Sequence, residues 1–315
     1  MNIAITGGTG FLGGHFARYL IQRGHYPTIV ARGIARDTAN LRKLQNITFR
    51  PMYLTEEKKL YEAFKSCVGV AHLAGINRET EDSTFAQLHV DATEKVLYAA
   101  RKAGVKKILL VSFINARPWK ASKYHNSKWQ AEELVKASGL DFTILRPGMI
   151  YGAGDHMLSH IDRALEMSPF FAPVGLLPRK FSPVAVEDMC ELMAESLLNN
   201  LLSRKAYTVT GPEALSLSQI VARVAKARAK MGRGHGISIN IPFPVSIHLA
   251  IAALMERTSK DPLVTTSQIR MLQEGMDRAS SSCQAHCQEL PDEMKPRMEM
   301  TEDVIIQCLN KSRRS

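Results

Sequence analysis

A tyrosine and a lysine stand four residues apart in Ser122-Lys-Tyr-His-Asn-Ser-Lys-Trp-Gln-Ala-Glu-Glu. A helix stacks positions four apart on one face, which brings Tyr124 and Lys128 within reach of each other. A free phenol titrates near pH 10, at about the limit of usefulness for proton transfer at neutral pH. A neighbouring ammonium favours the phenolate, so Lys128 is expected to lower the Tyr124 pKa towards the working range. Tyr124 would then give a proton to a substrate oxygen or take one from it.

A second stretch places chemistry at the start of the chain. Ile3, Ala4 and Ile5 form a short apolar run suited to a buried parallel strand. Gly7, Gly8, Gly10 and Gly13 follow, and Phe16-Ala-Arg-Tyr-Leu-Ile then continues at helical spacing. The spacing satisfies G-x-G-x-x-G from Gly8 and G-x-x-G-x-x-G from Gly7. Glycines permit the tight turn and let backbone N–H groups approach a pyrophosphate, while the helix turns its positive end towards it. Strand, glycine turn and helix together predict a dinucleotide site. The positive ring of an oxidised nicotinamide would lower the Tyr124 pKa further.

Further elements are needed to hold these two stretches together. Strands are expected at Thr28–Ala31, 46–50, 68–75, 108–112 and 142–145, with helices at 56–66, 85–103 and 123–137. Strands alternating with helices over about 145 residues predict an α/β fold, a Rossmann-type doubly wound parallel sheet. Ligands in such sheets lie at the carboxyl ends of the strands, where Gly10, Arg32, Ala74, Ser112 and Pro147 all fall. Arg32 ends the second strand, Arg36 follows, and no acid precedes Asp37. An Arg at this place accommodates a 2′-phosphate, which favours NADP over NAD.

Beyond Gly152 the alternation loosens. Residues 1–152 are read as the dinucleotide-binding domain. Residues 153–277 form a smaller mixed α/β substrate lobe, with a helix at 186–200 and a strand at 206–210, whose pieces can interleave with the sheet. Residues 278–315 make an irregular tail with a last helix at 301–309. The apolar segment 245–255 contains His248, is too short to span a bilayer, and is expected to be a buried helix.

Composition narrows the class. At 315 residues with 45% hydrophobic and 23% charged residues, the chain reads as a globular protein with a substantial core. The net charge of +11 comes from scattered residues without a basic block, so no nucleic-acid partner is expected. The five cysteines lack a disulfide-like spacing and point to a reducing compartment, the cytoplasm. Cys283, His286 and Cys287 lie close in sequence without an evident fourth ligand, so no metal is expected. A strand beginning at Asn2 predicts no signal peptide.

The motifs Thr6-Gly-Gly-Thr-Gly-Phe-Leu-Gly, His72-Leu-Ala-Gly, Val111-Ser, Tyr124-x-x-x-Lys128 and Leu145-Arg-Pro-Gly-Met-Ile-Tyr-Gly carry a family resemblance. So does Phe181-Ser-Pro-Val-Ala-Val-Glu-Asp-Met. The chain resembles the extended and atypical branches of the short-chain dehydrogenase/reductase superfamily. These include NAD-dependent epimerase/dehydratase-like proteins and relatives of the complex I NAD(P)H-binding accessory subunit. The resemblance runs from about Asn2 to Met231 and implies a bound nicotinamide dinucleotide with a Ser, Tyr, Lys catalytic set. Ser112 would orient the substrate, Tyr124 would act as acid-base, and Lys128 would tune it and bind the nicotinamide ribose. Gly7, Gly10, Phe11, Leu12 and Gly13 would meet the pyrophosphate, and Ala74, Gly75 and Pro147 would line the cofactor. Asn115, Met149 and Phe181 would face the substrate. The implied activity is that of an oxidoreductase or epimerase/dehydratase-like enzyme. It would move hydride to or from a carbonyl, alcohol or nucleotide-sugar substrate, as a monomer or homodimer.

The sequence also departs from the family pattern. Only Ser112 offers a hydroxyl after the fifth strand, followed by Phe113, Ile114 and Asn115. The family's Asp at the adenine is replaced by Met52 or Tyr53, where Tyr53 would stack on the base. His89 replaces an Asn on the long helix and reads as a pocket-wall residue. These departures leave an alternative, a non-catalytic NADP(H)-binding regulator or accessory subunit.

Overall fold

The computed structural model describes residues 1–32, 41–199, 201–259 and 264–314. The chain forms two compact units that do not follow its linear order. The first comprises Met1–Pro147, Glu187–Val209 and Ser281–Met294, and the second comprises Gly148–Val186, Thr210–Ser280 and Lys295–Ser315.

The first unit holds an eight-stranded, wholly parallel sheet. Its strands include β1 (Asn2–Thr6), β2 (Tyr26–Ala31), β3 (Thr48–Pro51), β4 (Gly69–His72), β5 (Lys107–Val111) and β6 (Asp141–Pro147). Lys205–Val209 and then Gln288–Glu289 extend the sheet beyond β6. The order runs from Gln288–Glu289 through Lys205–Val209, β6, β5 and β4 to β1, β2 and β3. The direction of winding therefore reverses between β4 and β1, the place where such sheets open a crevice for ligands. Both strands are buried throughout their central positions, as parallel strands covered on two faces must be.

Helices α1 (Phe11–Gln22), α2 (Glu57–Phe64), α3 (Ala92–Lys102) and α4 (Lys123–Ala137) connect the strands. Phe16 and Leu20 bury the inner face of α1. On the other side, Leu60 and Phe64 of α2, Val96 and Ala100 of α3, and Val135 of α4 join Val70, Ile108 and Ile144 in one core. The long helix expected over 85–103 is broken in type: Ala86–Asp91 is π-helical and runs into α3.

The strand expected at 206–210 forms as Lys205–Val209 and pairs with β6 in the main sheet, and Glu187–Val209 interleaves with the first unit. One expectation needs correction: within 278–315, Gln288–Glu289 adds a strand to the sheet, while the last helix expected at 301–309 forms as Glu302–Arg314.

In the second unit, helices His156–Met167 and Leu217–Lys230 are joined through Asp162, which accepts from Arg228 and, at 2.9 Å, from Arg233. Ser216 and Gln219 close a capping box on the second of these helices. Short strands pair Ile150–Tyr151 with Val184–Ala185, Lys180–Phe181 with Leu215–Ser216, and Phe170–Phe171 with Ile239–Asn240. The helix expected to be buried forms as Val245–Thr258, but Ala252 is its one fully buried residue. Its apolar composition predicted burial, yet Ile247, Ile251 and Leu254 face outwards.

Candidate dinucleotide and proton-transfer site

The glycine turn lies between β1 and α1. Gly7 adopts φ +71°, and a Cβ there would lie 2.7 Å from the backbone of Ala74. That approach holds the turn against segment 73–75, the continuation of β4, at the reversal of the sheet. The Leu73 N–H donates to Thr6 O and the Gly7 N–H to Val30 O, which ties the turn to both flanking strands. Gly10 precedes α1 without a side-chain cap, and the first turn of the helix carries no acid. Its amides and positive end are therefore left for an anion. A close-approach glycine, an uncapped helix N-terminus and their place at the sheet reversal fit a dinucleotide pyrophosphate. Phe11 and Leu12 begin α1, and Gly13 packs in its first turn.

A methyl group on Gly13 would overlap the Gly7 carbonyl oxygen and come 2.6 Å from Gly8 Cα. Gly13→Ala is therefore expected to push the turn open. Stability should fall by about 1–3 kcal/mol, and NAD(P)H affinity at least tenfold, roughly 1.4 kcal/mol. Thermal melting and nicotinamide fluorescence titration check the two effects.

The proton-transfer candidates cluster at the carboxyl ends of β4 and β5. Tyr124, near the start of α4, is caged by aromatic rings with centroids at 5.4 Å (Phe85), 5.7 Å (His89) and 5.3 Å (Phe113). This burial pushes the phenol above its usual range. Burial thus acts against the lowering expected from Lys128. Helical spacing correctly put the pair on one face, but it carried no information about desolvation.

Lys128 follows one turn later and donates to Val111 O at 3.3 Å. Burial lowers its pKa to about 8, against the opposing pull of Glu132. A Cβ on Gly75 would sit 3.4 Å from Lys128 Nζ and 3.2 Å from His89 Nε2. Gly75, His89 and Lys128 therefore meet at one point.

Ser112 does not present its hydroxyl proton to a substrate. Its Oγ donates to Glu132 Oε1 at 2.5 Å. Glu132 also accepts from Arg146, with Nε 2.9 Å from Oε1 and Nη2 2.5 Å from Oε2, and both side chains have no exposed surface. Phe113, Ile114 and Asn115 behind it are buried as well. The Ser112–Glu132–Arg146 group was not visible in sequence. Glu132 read only as a helix residue, and Arg146 as part of a motif.

The two histidines were also underread. The Ile76 N–H donates to His89 Nε2 at 3.2 Å, so Nδ1 carries the ring proton and donates to Ser127 Oγ at 2.9 Å. Ser127 in turn donates to the Tyr124 carbonyl. Thr93 donates to the His89 carbonyl, so His72 Nε2 donates to Thr93, and His72 Nδ1 accepts from Thr6 at 2.6 Å. Both imidazoles are neutral. Burial and the nearby Lys128 lower His72 to about 3 and His89 well below its usual range. The available signals were a histidine ending an otherwise apolar strand and one beneath a phenylalanine four residues earlier.

The remaining predicted residues are placed individually. Arg32 is exposed just beyond β2, whereas Arg36 and Asp37 lie outside the described residues. Met52 is buried and Tyr53 is 60% exposed, free to cover a flat ring. Pro147 ends β6 in the first unit. Met149 and Phe181 belong to the second unit, where Phe181 lines a cavity of about 240 Å³ with Arg179, Ser216 and Asn240.

Parallel sheet, reversal point and glycine turn define a dinucleotide-binding fold of the Rossmann type. The chain belongs to the NAD(P)H-binding family, whose model matches residues 7–166, just over half of its length. It is 27% identical over 224 residues to the rat mitochondrial NADH dehydrogenase [ubiquinone] 1 alpha subcomplex subunit 9. That match covers 69% of this chain and 58% of the relative. Ceramide reductase of Caulobacter vibrioides is 32% identical over 188 residues, 59% of this chain and 57% of that one. NAD(P)H azoreductase of Xenophilus azovorans is 26% identical over 232 residues, 72% and 74% of the two chains. The chain thus spans just under six tenths of the length of the first two of these relatives. Among solved structures, UDP-glucose 4-epimerase of Thermus thermophilus with NAD shares the fold at TM-score 0.70 and 19% identity, over 99% of each chain.

Proposed function

We propose that the protein is an NADPH-dependent reductase that delivers hydride to a carbonyl carbon while Tyr124 protonates the oxygen. The observation that carries this reading is the packing of the Tyr124 ring against His89, which itself meets Gly75 and Lys128. Burial raises the phenol and so opposes this proton transfer, which Lys128 and the bound cofactor would have to assist. The bound nicotinamide would supply the hydride. The chain's own residues bind and orient it through the Gly7–Gly13 turn, Gly75 and Lys128, and the rings of Phe85 and Phe113 exclude water. Two curated relatives named as reductases support the direction. The five cysteines form no disulfide among the described residues, which suits a reducing compartment such as the cytoplasm.

NADP is preferred in this reading because Arg32 stands exposed at the end of β2, where a ribose 2′-phosphate would lie. Arg32→Ala is expected to weaken NADPH binding by about tenfold, the worth of one charge-assisted contact, while NADH binding changes little. Equal weakening of both cofactors, by fluorescence titration, would remove Arg32 from the 2′-phosphate.

Turnover is tested by NADPH oxidation against a panel of aliphatic and aromatic ketones, with Tyr124→Phe as the control. The second reading, a non-catalytic NADP(H)-binding accessory protein, draws on Ser112, whose hydroxyl proton is held by Glu132 and leaves a substrate carbonyl one donor short. NADPH binding without reduction of any ketone would favour it.

A further inference from the structure

The second unit exposes an apolar surface that neither the fold nor the dinucleotide site requires. Phe170–Phe171 pairs with Ile239–Asn240, the Gly175 N–H donates to Phe243 O, and the Phe243 ring meets His248 at the start of the helix Val245–Thr258. These contacts join three segments into one surface. Leu176 and Leu177 project from a loop bracketed by Pro173 and Pro178, 63% and 74% exposed. Phe243, Ile247, Ile251 and Leu254 continue the apolar character along the adjoining strand and helix, with Leu254 61% exposed. An apolar surface of this kind marks an interaction site.

Charge selects the occupant. Residues 167–181 and 231–255, which carry most of this surface, contain no Asp or Glu; Glu256 follows near the end of the helix, where it accepts from the Thr266 N–H. Arg179 and Lys180 follow the leucine pair after Pro178 and are exposed. A self-complementary contact with a second copy would bring these cations against their own kind. The surface also lacks the Trp and Tyr anchors that dominate protein interfaces. Adjacent exposed leucines, followed after one proline by two cations, match the boundary between acyl chains and anionic headgroups. No helix among the described residues is long and apolar enough to cross a membrane.

We propose that this face docks the protein on the surface of an anionic lipid bilayer. Leu176 and Leu177 enter the acyl layer, the helix Val245–Thr258 lies along it, and Arg179 and Lys180 meet lipid phosphates. The protein would then act on, or beside, molecules held in the membrane.

Flotation of the full chain with phosphatidylcholine vesicles, with or without phosphatidylserine, tests the proposal. Binding to the mixed vesicles is expected, weaker on pure phosphatidylcholine and reduced by salt. The double variant L176E/L177E should lose at least about tenfold in affinity. R179A/K180A should lose about fivefold per cation on mixed vesicles only. Both changes are on the surface, and unchanged circular-dichroism melting confirms that the variants fold. Absence of flotation with either vesicle, or full binding by L176E/L177E, would overturn the proposal. A dimer in sedimentation velocity that L176E/L177E dissolves would overturn it in favour of a second copy. Saturable binding of an acidic apolar peptide, with no vesicle binding, would overturn it in favour of a protein partner.

Discussion

Replacing Glu132 with alanine should destabilise the protein by about 3–5 kcal/mol, the cost of leaving a buried guanidinium without its partner. Arg146 has no exposed surface, and its paired carboxylate is Glu132. Its Nη1 also reaches the Cys283 carbonyl at 3.5 Å, a contact too long to replace a carboxylate. Ser112 would lose its acceptor in the same step. Urea unfolding with a fixed slope measures the loss directly. An unchanged midpoint would mean that Arg146 reaches water and that the group is not the anchor described here.

The milder Glu132→Gln separates charge from shape. Glu132 raises the Lys128 pKa while burial lowers it, and the outcome is about 8. Without that charge Lys128 should titrate lower still. The sign for stability follows from proton binding. Between pH 8 and about 10.5 the unfolded chain holds a proton on Lys128 that the folded chain has lost. Stability from this group therefore rises with pH across that window, and its cost is fully present below it.

Tyr124→Phe carries the largest expected effect on turnover, a fall of roughly a hundred- to ten-thousand-fold, as for loss of a general acid. The hydroxyl is removed while the ring keeps its place among Phe85, His89 and Phe113, so NADPH affinity should hold. In the native protein the neutral phenol contributes no titration near neutrality. The rate is expected to fall as pH rises through about 8, when Lys128 loses its ammonium. Glu132→Gln should move that limb to lower pH. A variant retaining native turnover would dismiss Tyr124 as the acid.

The sequence made the dinucleotide half of the fold legible because its signals are local. The glycine turn sits between an apolar strand and a helix, and α4 was expected at 123–137 and forms as Lys123–Ala137. What sequence could not show depends on distant residues. Glu132 and Arg146 find each other only when α4 packs beside β6, and the desolvation of Tyr124 comes from rings on two separate segments. Strand Lys205–Val209 looks alike whichever sheet it joins, so periodicity could not place it beside β6. The helix Val245–Thr258 was legible as a helix but not in its exposure, because apolar composition reports what a surface can bury against and not whether anything is there.

The order of strands in the first unit also bears on how the protein is made. β6 is complete at Pro147, yet its neighbour Lys205–Val209 and the outer strand Gln288–Glu289 come much later in the chain. As the polypeptide leaves the ribosome, the edge of β6 stands open with a full row of unpaired amides and carbonyls, a template for wrong partners. Synthesis at about 5–20 residues per second leaves that edge unprotected for several seconds before residue 209 emerges. A nascent-chain chaperone is the natural guard for such an interval, and shortening the stretch between β6 and Lys205–Val209 would be the way to engineer a faster-maturing variant.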